Sequence, residues 1–190
     1  ILIQKNYELV LCSRKLTNIK KVLKKNKDID YKKIHFVESD ISKKKDIDKI
    51  KKILKNKLNN NVDVLVNNAS IIGPIGNFSE NKIDDWVKTI NTNLIGSVMM
   101  TQLVIPFFKL KNRGKIIQIA GGGASGPFPN FSSYATSKVG IVRFMETISK
   151  ELEKNNIDVN CVAPGFLNTN MQKKVIKAGS KKVGSNYAVG

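Results

Sequence analysis

The chain has 190 residues, 41% of them hydrophobic and 25% charged, a composition that supports a buried core without disulfide or metal staples and excludes wholesale disorder. Lys and Arg number 33 against 15 acids, a formal net charge of +18, so phosphates, nucleic acid and anionic surfaces are the partners to weigh. No uninterrupted apolar run reaches the roughly 18 residues of a membrane span, and the first residues lack the basic-then-apolar order of a secretory leader. In chain order, the apolar run 8–12 (ELVLC) reads as a buried strand, and 15–26 as a Lys-rich helix with Leu16, Ile19, Val22 and Leu23 at helical spacing. A second strand is expected at 34–37 (IHFV). A helix over 43–58 follows, with Ile47, Ile50, Leu54 and Leu58 on one stripe. The third strand, 62–66, runs into Asn67-Asn68-Ala69. A long helix then carries Ile83, Val87, Ile90, Leu94, Val98 and Thr101 on one face, with Pro106 expected to kink or break it. A fourth strand at 115–119, a helix over 132–154 with Ile141, Met145, Ile148 and Leu152 inward, and a fifth strand at 158–162 complete the pattern. Residues 173–190 are weakly patterned and are expected to be mobile.

Strands that alternate with helices imply parallel β-α units and a layered α/β domain, here one domain over 1–190. Ligands in such sheets bind beyond the carboxyl ends of the strands, so the polar residues that follow each strand carry the function. Sixteen lysines lie between Lys15 and Lys57. They are not interleaved with aromatics and no nucleic-acid motif accompanies them, so they read as solvated helix faces with weak, non-specific phosphate binding. A basic nucleic-acid-binding protein is the rival reading from a different class. His35 stands alone in a strand, no metal-ligand spacing occurs, and Cys12 and Cys161 sit in apolar stretches that suit a reducing cytoplasm. No membrane association is expected.

The segment Tyr134-Ala-Thr-Ser-Lys138 puts a phenol and an amine four residues apart on one helical face. A cation beside a phenol favours the phenolate, so the phenol is expected to exchange a proton nearer neutrality than free tyrosine. In order, the chain reads Asp40, Asn67-Asn68-Ala69, Asn93 in NTNLIG, Tyr134-x-x-x-Lys138 and Pro164-Gly165-x-x-x-Thr169. That ordered set, spread from Glu8 to about Met171, resembles the short-chain dehydrogenase/reductase family.

The resemblance implies a Rossmann-type, doubly wound parallel sheet with helices on both faces, and an NAD(P)-dependent oxidoreductase interconverting a small-molecule carbonyl and an alcohol, possible substrates including 3-oxoacyl thioesters. It implies that Tyr134 gives or takes the proton, that Lys138 tunes the phenol and holds the ribose hydroxyls, and that Asn93 orders a water. Asn67 and Ala69 would line the cofactor cleft, Asp40 would lie near the adenine, and Pro164, Gly165 and Thr169 would hold the carboxamide. A homo-oligomer, tetramer or dimer, built on helices 81–110 and 132–154 is also implied. At the ribose-reading position the chain has Ser13-Arg14 rather than an acid. A guanidinium there suits the 2′-phosphate, so NADP is expected in preference to NAD.

The sequence departs from the family pattern in two places. Family members place a serine thirteen residues before the tyrosine to hold the substrate oxygen; here that residue is Gly121, in Ala120-Gly-Gly-Gly-Ala-Ser125. Backbone N–H groups of this run or Ser125 are the candidate replacements, and a cofactor-binding member with weak catalysis is the alternative reading. Residues 121–126 also spell G-x-G-x-x-G. However, Pro127-Phe-Pro129 intervene before the helix and no strand ending in an acid follows about 20 residues on, so this run is not the phosphate fingerprint. The glycine-rich turn would precede strand 8–12 by about 20 residues, more than this chain has. The expectation is therefore a fragment that lacks that turn, its strand and the family's C-terminal segment, and that is inactive by itself.

Overall fold

The computed structural model describes residues 7–23, 30–165 and 167–184. The chain divides into two compact units, Ile1–Val62 and Asp63–Gly190, each built from parallel strands joined through helices.

In the first unit, β1 (Leu9–Ser13) leads through α1 (Leu16–Leu23) to β2 (Ile34–Glu38) and α2 (Lys44–Leu58). The two strands are parallel, with Leu9 opposite Ile34 and Ser13 opposite Glu38. The stripe of α2 packs on β2 and buries Ile47, Ile50 and Leu54 with Ile34 and Val37. The opposite face presents Lys44, Lys45, Lys49, Lys51, Lys52, Lys55 and Lys57 to solvent, as expected for a charged amphipathic helix. His35 on β2 is held by Glu8, just before β1, at 2.6 Å, with no metal ligand set around it among the described residues.

In the second unit, β3 (Val64–Asn67), β4 (Gly114–Ile119) and β5 (Ile157–Val162) form a parallel sheet in that order, with Asn67 opposite Gln118 and Gln118 opposite Cys161. Between β3 and β4 run α3 (Ile83–Ile90), a π-turn (Asn91–Ile95) and α4 (Gly96–Lys111). Helix α5 (Ser132–Glu151) joins β4 to β5 and packs on β5, while α4 packs on β3 and β4. The core is Leu65, Ile116, Val104, Phe108, Ile141, Met145, Leu152 and Ile157. Within each unit the strands neighbour one another in parallel, β1 beside β2 in the first and β3-β4-β5 in the second, as in doubly wound folds.

Three elements differ from the sequence reading. Pro106 does not break its helix; α4 runs through it to Lys111. Pro106 and Gln102 are exposed, so the carbonyl four residues back, which loses its N–H donor, faces water, while buried Val104 and Phe108 pin the helix on both sides. The real irregularity is the π-turn one helical stretch earlier, where a widened turn carries the buried Thr92 and Asn93. The weakly patterned end carries α6 (Asn170–Ala178) and α7 (Ser180–Val183). Val183 is fully buried with Ile72, Phe131 and Tyr134, and its carbonyl accepts from Asn130 Nδ2 at 3.3 Å. Residues 185–190 of that stretch lie outside the described ones. The continuous helix Ile83–Lys111 is long and apolar enough to cross a membrane by length and composition, but Val104, Phe108 and the hydrogen bonds of Asn93 and Thr101 tie it into the unit as a core helix.

Candidate active site

The carboxyl ends of β3, β4 and β5 and the first turns of α5 converge in the second unit. The loop after β4 tightens into a turn, with Ala124 N–H donating to Gly121 O at 3.2 Å, and returns through Phe128 to α5, whose first turn is seated by Trp86 Nε1 donating to Ser132 Oγ at 3.2 Å. Tyr134 is buried beneath Phe128, ring centroids 6.4 Å apart, and Phe128 stacks on Phe131 at 4.6 Å. One turn on, Lys138 is 2% exposed. Its Nζ donates to Ile119 O at 3.0 Å and lies 5.3 Å from the centre of the Tyr134 ring.

The electrostatics reverse the expectation for the phenol. Burial raises the Tyr134 pKa above its ordinary value, because desolvation penalises the phenolate. The ammonium beside the ring does not overcome this, since Lys138 points its proton at a carbonyl and is itself disfavoured. Burial pushes Lys138 down to about 8, against a smaller upward pull from Cys161. The amine, not the phenol, is thus the group brought toward neutrality. Cys161 is a free, exposed thiol raised by burial of its sulfur and by Glu146.

Gly121 makes the closest approach to the phenol. A β-carbon built on it would lie 2.5 Å from Tyr134 Oη and 3.7 Å from Lys138 Cε. Ser125 is exposed, as is Ala69 after β3. Asn93 is fully buried and its amide is spent on protein partners. Oδ1 accepts from Ile71 N–H at 2.8 Å, and Nδ2 donates to Ile71 O at 2.9 Å and to Ser137 Oγ at 3.0 Å. Ser137 Oγ donates in turn to Tyr134 O at 2.7 Å. Asn93 therefore clamps the loop after β3 to α5. Asn67 is buried and donates to Thr101 Oγ1 at 3.1 Å, which ties β3 to α4. Pro164 and Gly165 are exposed after β5. Thr169 caps α6, its Oγ1 accepting from Gln172 N–H at 3.3 Å, a local role its spacing in the motif does not reveal.

In the first unit, Ser13, Arg14 and Asp40 come together at the ends of β1 and β2. Ser13 O accepts from Ser39 N–H at 2.9 Å. Burial works to raise the Asp40 carboxyl, but bonds from the Ser42 hydroxyl (2.6 Å) and backbone N–H (3.1 Å) and the charges of Arg14 and Lys43 outweigh it and hold it low. Asp40 therefore stays ionised beside the exposed Arg14.

Sequence reasoning missed Ser137, Gln118 and the Ile119 carbonyl. Gln118 is 1% exposed and donates through Nε2 to the same Ile119 O that receives Lys138. A polar residue in the middle of an otherwise apolar strand was the available signal. Ser137 lies three residues after Tyr134, on the same helical face.

Comparison with known proteins identifies the family. The sequence model of the short chain dehydrogenase family matches residues 1–179. The chain is 39% identical over 114 residues (60% of this chain, 46% of the relative) to the 3-oxoacyl-[acyl-carrier-protein] reductase FabG of Thermotoga maritima. It is 34% identical over 116 residues (61% and 42%) to dehydrogenase/reductase SDR family member 4 of Sus scrofa. Each match spans less than half of the relative's length. Among solved structures, actinorhodin polyketide ketoreductase with NADPH superposes with a TM-score of 0.85 at 26% identity, covering 94% of this chain and 68% of that one. ElxO with NADP bound gives 0.82 at 26% identity, covering 94% and 71%.

Proposed function

Because this chain belongs to the short-chain dehydrogenase/reductase family of oxidoreductases, we propose that the whole protein interconverts a carbonyl and an alcohol, with Tyr134 as proton donor and acceptor and Lys138 as its partner. The observation that carries this reading is the Lys138 amine. It is buried within reach of Tyr134, and among the described residues its side chain donates only to Ile119 O, although an ammonium has three protons to give. Two N–H donors left over in a buried place fit the vicinal hydroxyls of a ribose, so the residues present suit a nicotinamide dinucleotide. When bound, that cofactor supplies the hydride. The chain's own part is the proton and the geometry. Burial keeps the Tyr134 phenol protonated at neutral pH, the state that donates to a carbonyl oxygen, and Lys138 at about 8 stabilises negative charge as the proton leaves.

The exposed Arg14 at the end of β1, beside an ionised Asp40, supports NADP over NAD, since a planar guanidinium pairs with a phosphate in two-point fashion. The FabG relative, a 3-oxoacyl reductase, supports a 3-oxo ester or thioester as the substrate class. Free Cys12 and Cys161 favour a reducing compartment such as the cytoplasm. Solvated lysines on α2 favour no specific nucleic acid, and exposed apolar residues on α3 and α5 favour a homo-oligomer. The second reading, a cofactor binder with weak catalysis, is favoured by Gly121 standing where a substrate-holding hydroxyl is expected.

The test is Tyr134→Phe in the whole protein, assayed with NADPH and NADH against a panel of 3-oxo thioesters and simple ketones. Turnover is expected to fall at least about 10³-fold, the middle of the range for a general acid, with NADPH affinity within a factor of about two. NADPH is expected to be the better cofactor. Full activity in the variant would remove Tyr134 from the mechanism, and NADPH binding without turnover in the wild type would favour the second reading.

A further inference from the structure

We infer that Gly121 is a positioning residue that sets where the Tyr134 phenol sits, so that in this protein a serine at 121 would displace the proton donor instead of adding a substrate contact. The inference rests on the reading of Tyr134 as the proton donor. A β-carbon on Gly121 would come within 2.5 Å of Tyr134 Oη but stay 3.5 Å from Cζ. The conflict is therefore with the hydroxyl oxygen and not with the ring. The phenol cannot simply swing aside, because its ring is packed under Phe128 and enclosed with Ile72, Phe131 and Val183. Nor can the loop easily retreat. The next glycines are also committed: a β-carbon on Gly122 would lie 3.2 Å from the Phe128 ring, and Gly123, at φ +81°, would put one 2.7 Å from Ala135 Cβ on α5. The glycine run that imitates a phosphate fingerprint in the sequence thus serves as a close-packed seat for the first turn of α5. The space that a side chain at 121 would need is held by the phenol oxygen.

The decisive experiments use Gly121→Ala and Gly121→Ser in the whole protein, with Gly126→Ala, whose β-carbon meets nothing within 4 Å, as the loop control. With NADPH and a 3-oxoacyl thioester, both variants at 121 are expected to lose at least about tenfold in kcat, with the KM for NADPH within twofold, while Gly126→Ala matches wild type. Because burial is what raises the phenol, displacement is also expected to lower the Tyr134 ionisation midpoint. This is read by ultraviolet difference absorbance with Tyr134→Phe as the subtraction blank. A thermal-melt cycle covers the chance that the variants at 121 fold poorly. If the phenol oxygen is the obstacle, Gly121→Ala costs about 2–4 °C less in a Tyr134→Phe background than in wild type. Equal costs in both backgrounds, or a Gly121→Ser variant that turns over as fast as wild type or faster, would overturn the inference. The titration and the melt cycle read the position of the phenol whether or not Tyr134 turns over substrate, so their failure is distinguishable from failure of the proposed reaction.

Discussion

Lys138 owes its chemistry to the cost of keeping a charge away from water. In an unfolded chain its amine titrates near 10.4, and in the fold at about 8. Below about 8 both states are protonated and the fold bears the full cost of burying the ammonium, up to about 3 kcal/mol from the shift. Between about 8 and 10.4 the unfolded chain binds more protons, so stability rises with pH across that window and the cost is gone above it. Lys138→Met keeps the length and removes the charge, and Ile119 O retains its bond from Gln118 Nε2, so no carbonyl is orphaned. The variant is therefore expected to melt several degrees higher than wild type at pH 7, with the difference shrinking between pH 8 and 10.5, and to lose turnover. Melting curves at pH 6, 7, 9 and 10.5 check this; a gap that does not depend on pH would mean that the amine is not desolvated in the fold.

Elements were legible where a period was strong. The stripe Ile47, Ile50, Leu54 gave α2 to within a residue, and the short apolar runs located all five strands found among the described residues, because burial of one helical face or of a whole strand leaves a repeating mark on the sequence. The π-turn left no such mark. It depends on Asn93 reaching partners more than twenty and forty residues distant, Ile71 and Ser137, and contacts of that range have no period. For the same reason the spacing of Tyr134 and Lys138 was readable while the sign of the phenol's shift was not, since burial is a property of Phe128, Ile72 and Val183 gathered from three distant segments. The Asn93 clamp makes a direct prediction. Asn93→Ala strands Ile71 N–H and C=O and removes a donor from Ser137, and each such loss in a buried place costs about 1–3 kcal/mol. The expected sum is about 3 kcal/mol, read as a lower urea midpoint at unchanged slope. Asn93→Asp keeps the acceptor for Ile71 N–H but loses both donors and sets a buried carboxyl against Ile71 O, so it is expected to cost at least as much as Asn93→Ala. A loss below about 1 kcal/mol in Asn93→Ala would show that the loop after β3 is held by other contacts.

At the scale of the whole molecule, the net charge of +18 and the apolar surface occupy different elements. The lysines crowd the first unit along α2, whereas Ile83 and Val87 of α3, Ile95 of the π-turn and Val139 of α5 stand 42–63% exposed in the second. Helices α3 and α5 pack against each other, so these residues lie on neighbouring elements, and we propose that they form an association surface. The occupant that needs no further assumption is a second copy of the chain, since like helices can pair across a two-fold axis with each patch covering its twin. Placing a carboxylate on each helix should then cost more than either helix can recover, because two pairs of like charges would face one another across a desolvated contact. The whole protein is accordingly expected to sediment as a dimer or tetramer, and Val87→Glu with Val139→Glu to shift it to monomer at micromolar concentration without altering its far-ultraviolet circular dichroism. Leu110→Glu, at the far end of α4 and 84% exposed, is expected to leave the assembly intact. An unchanged sedimentation coefficient in the double variant would place the subunit contact elsewhere, and a monomeric wild type would leave the α3 and α5 surface to a different partner.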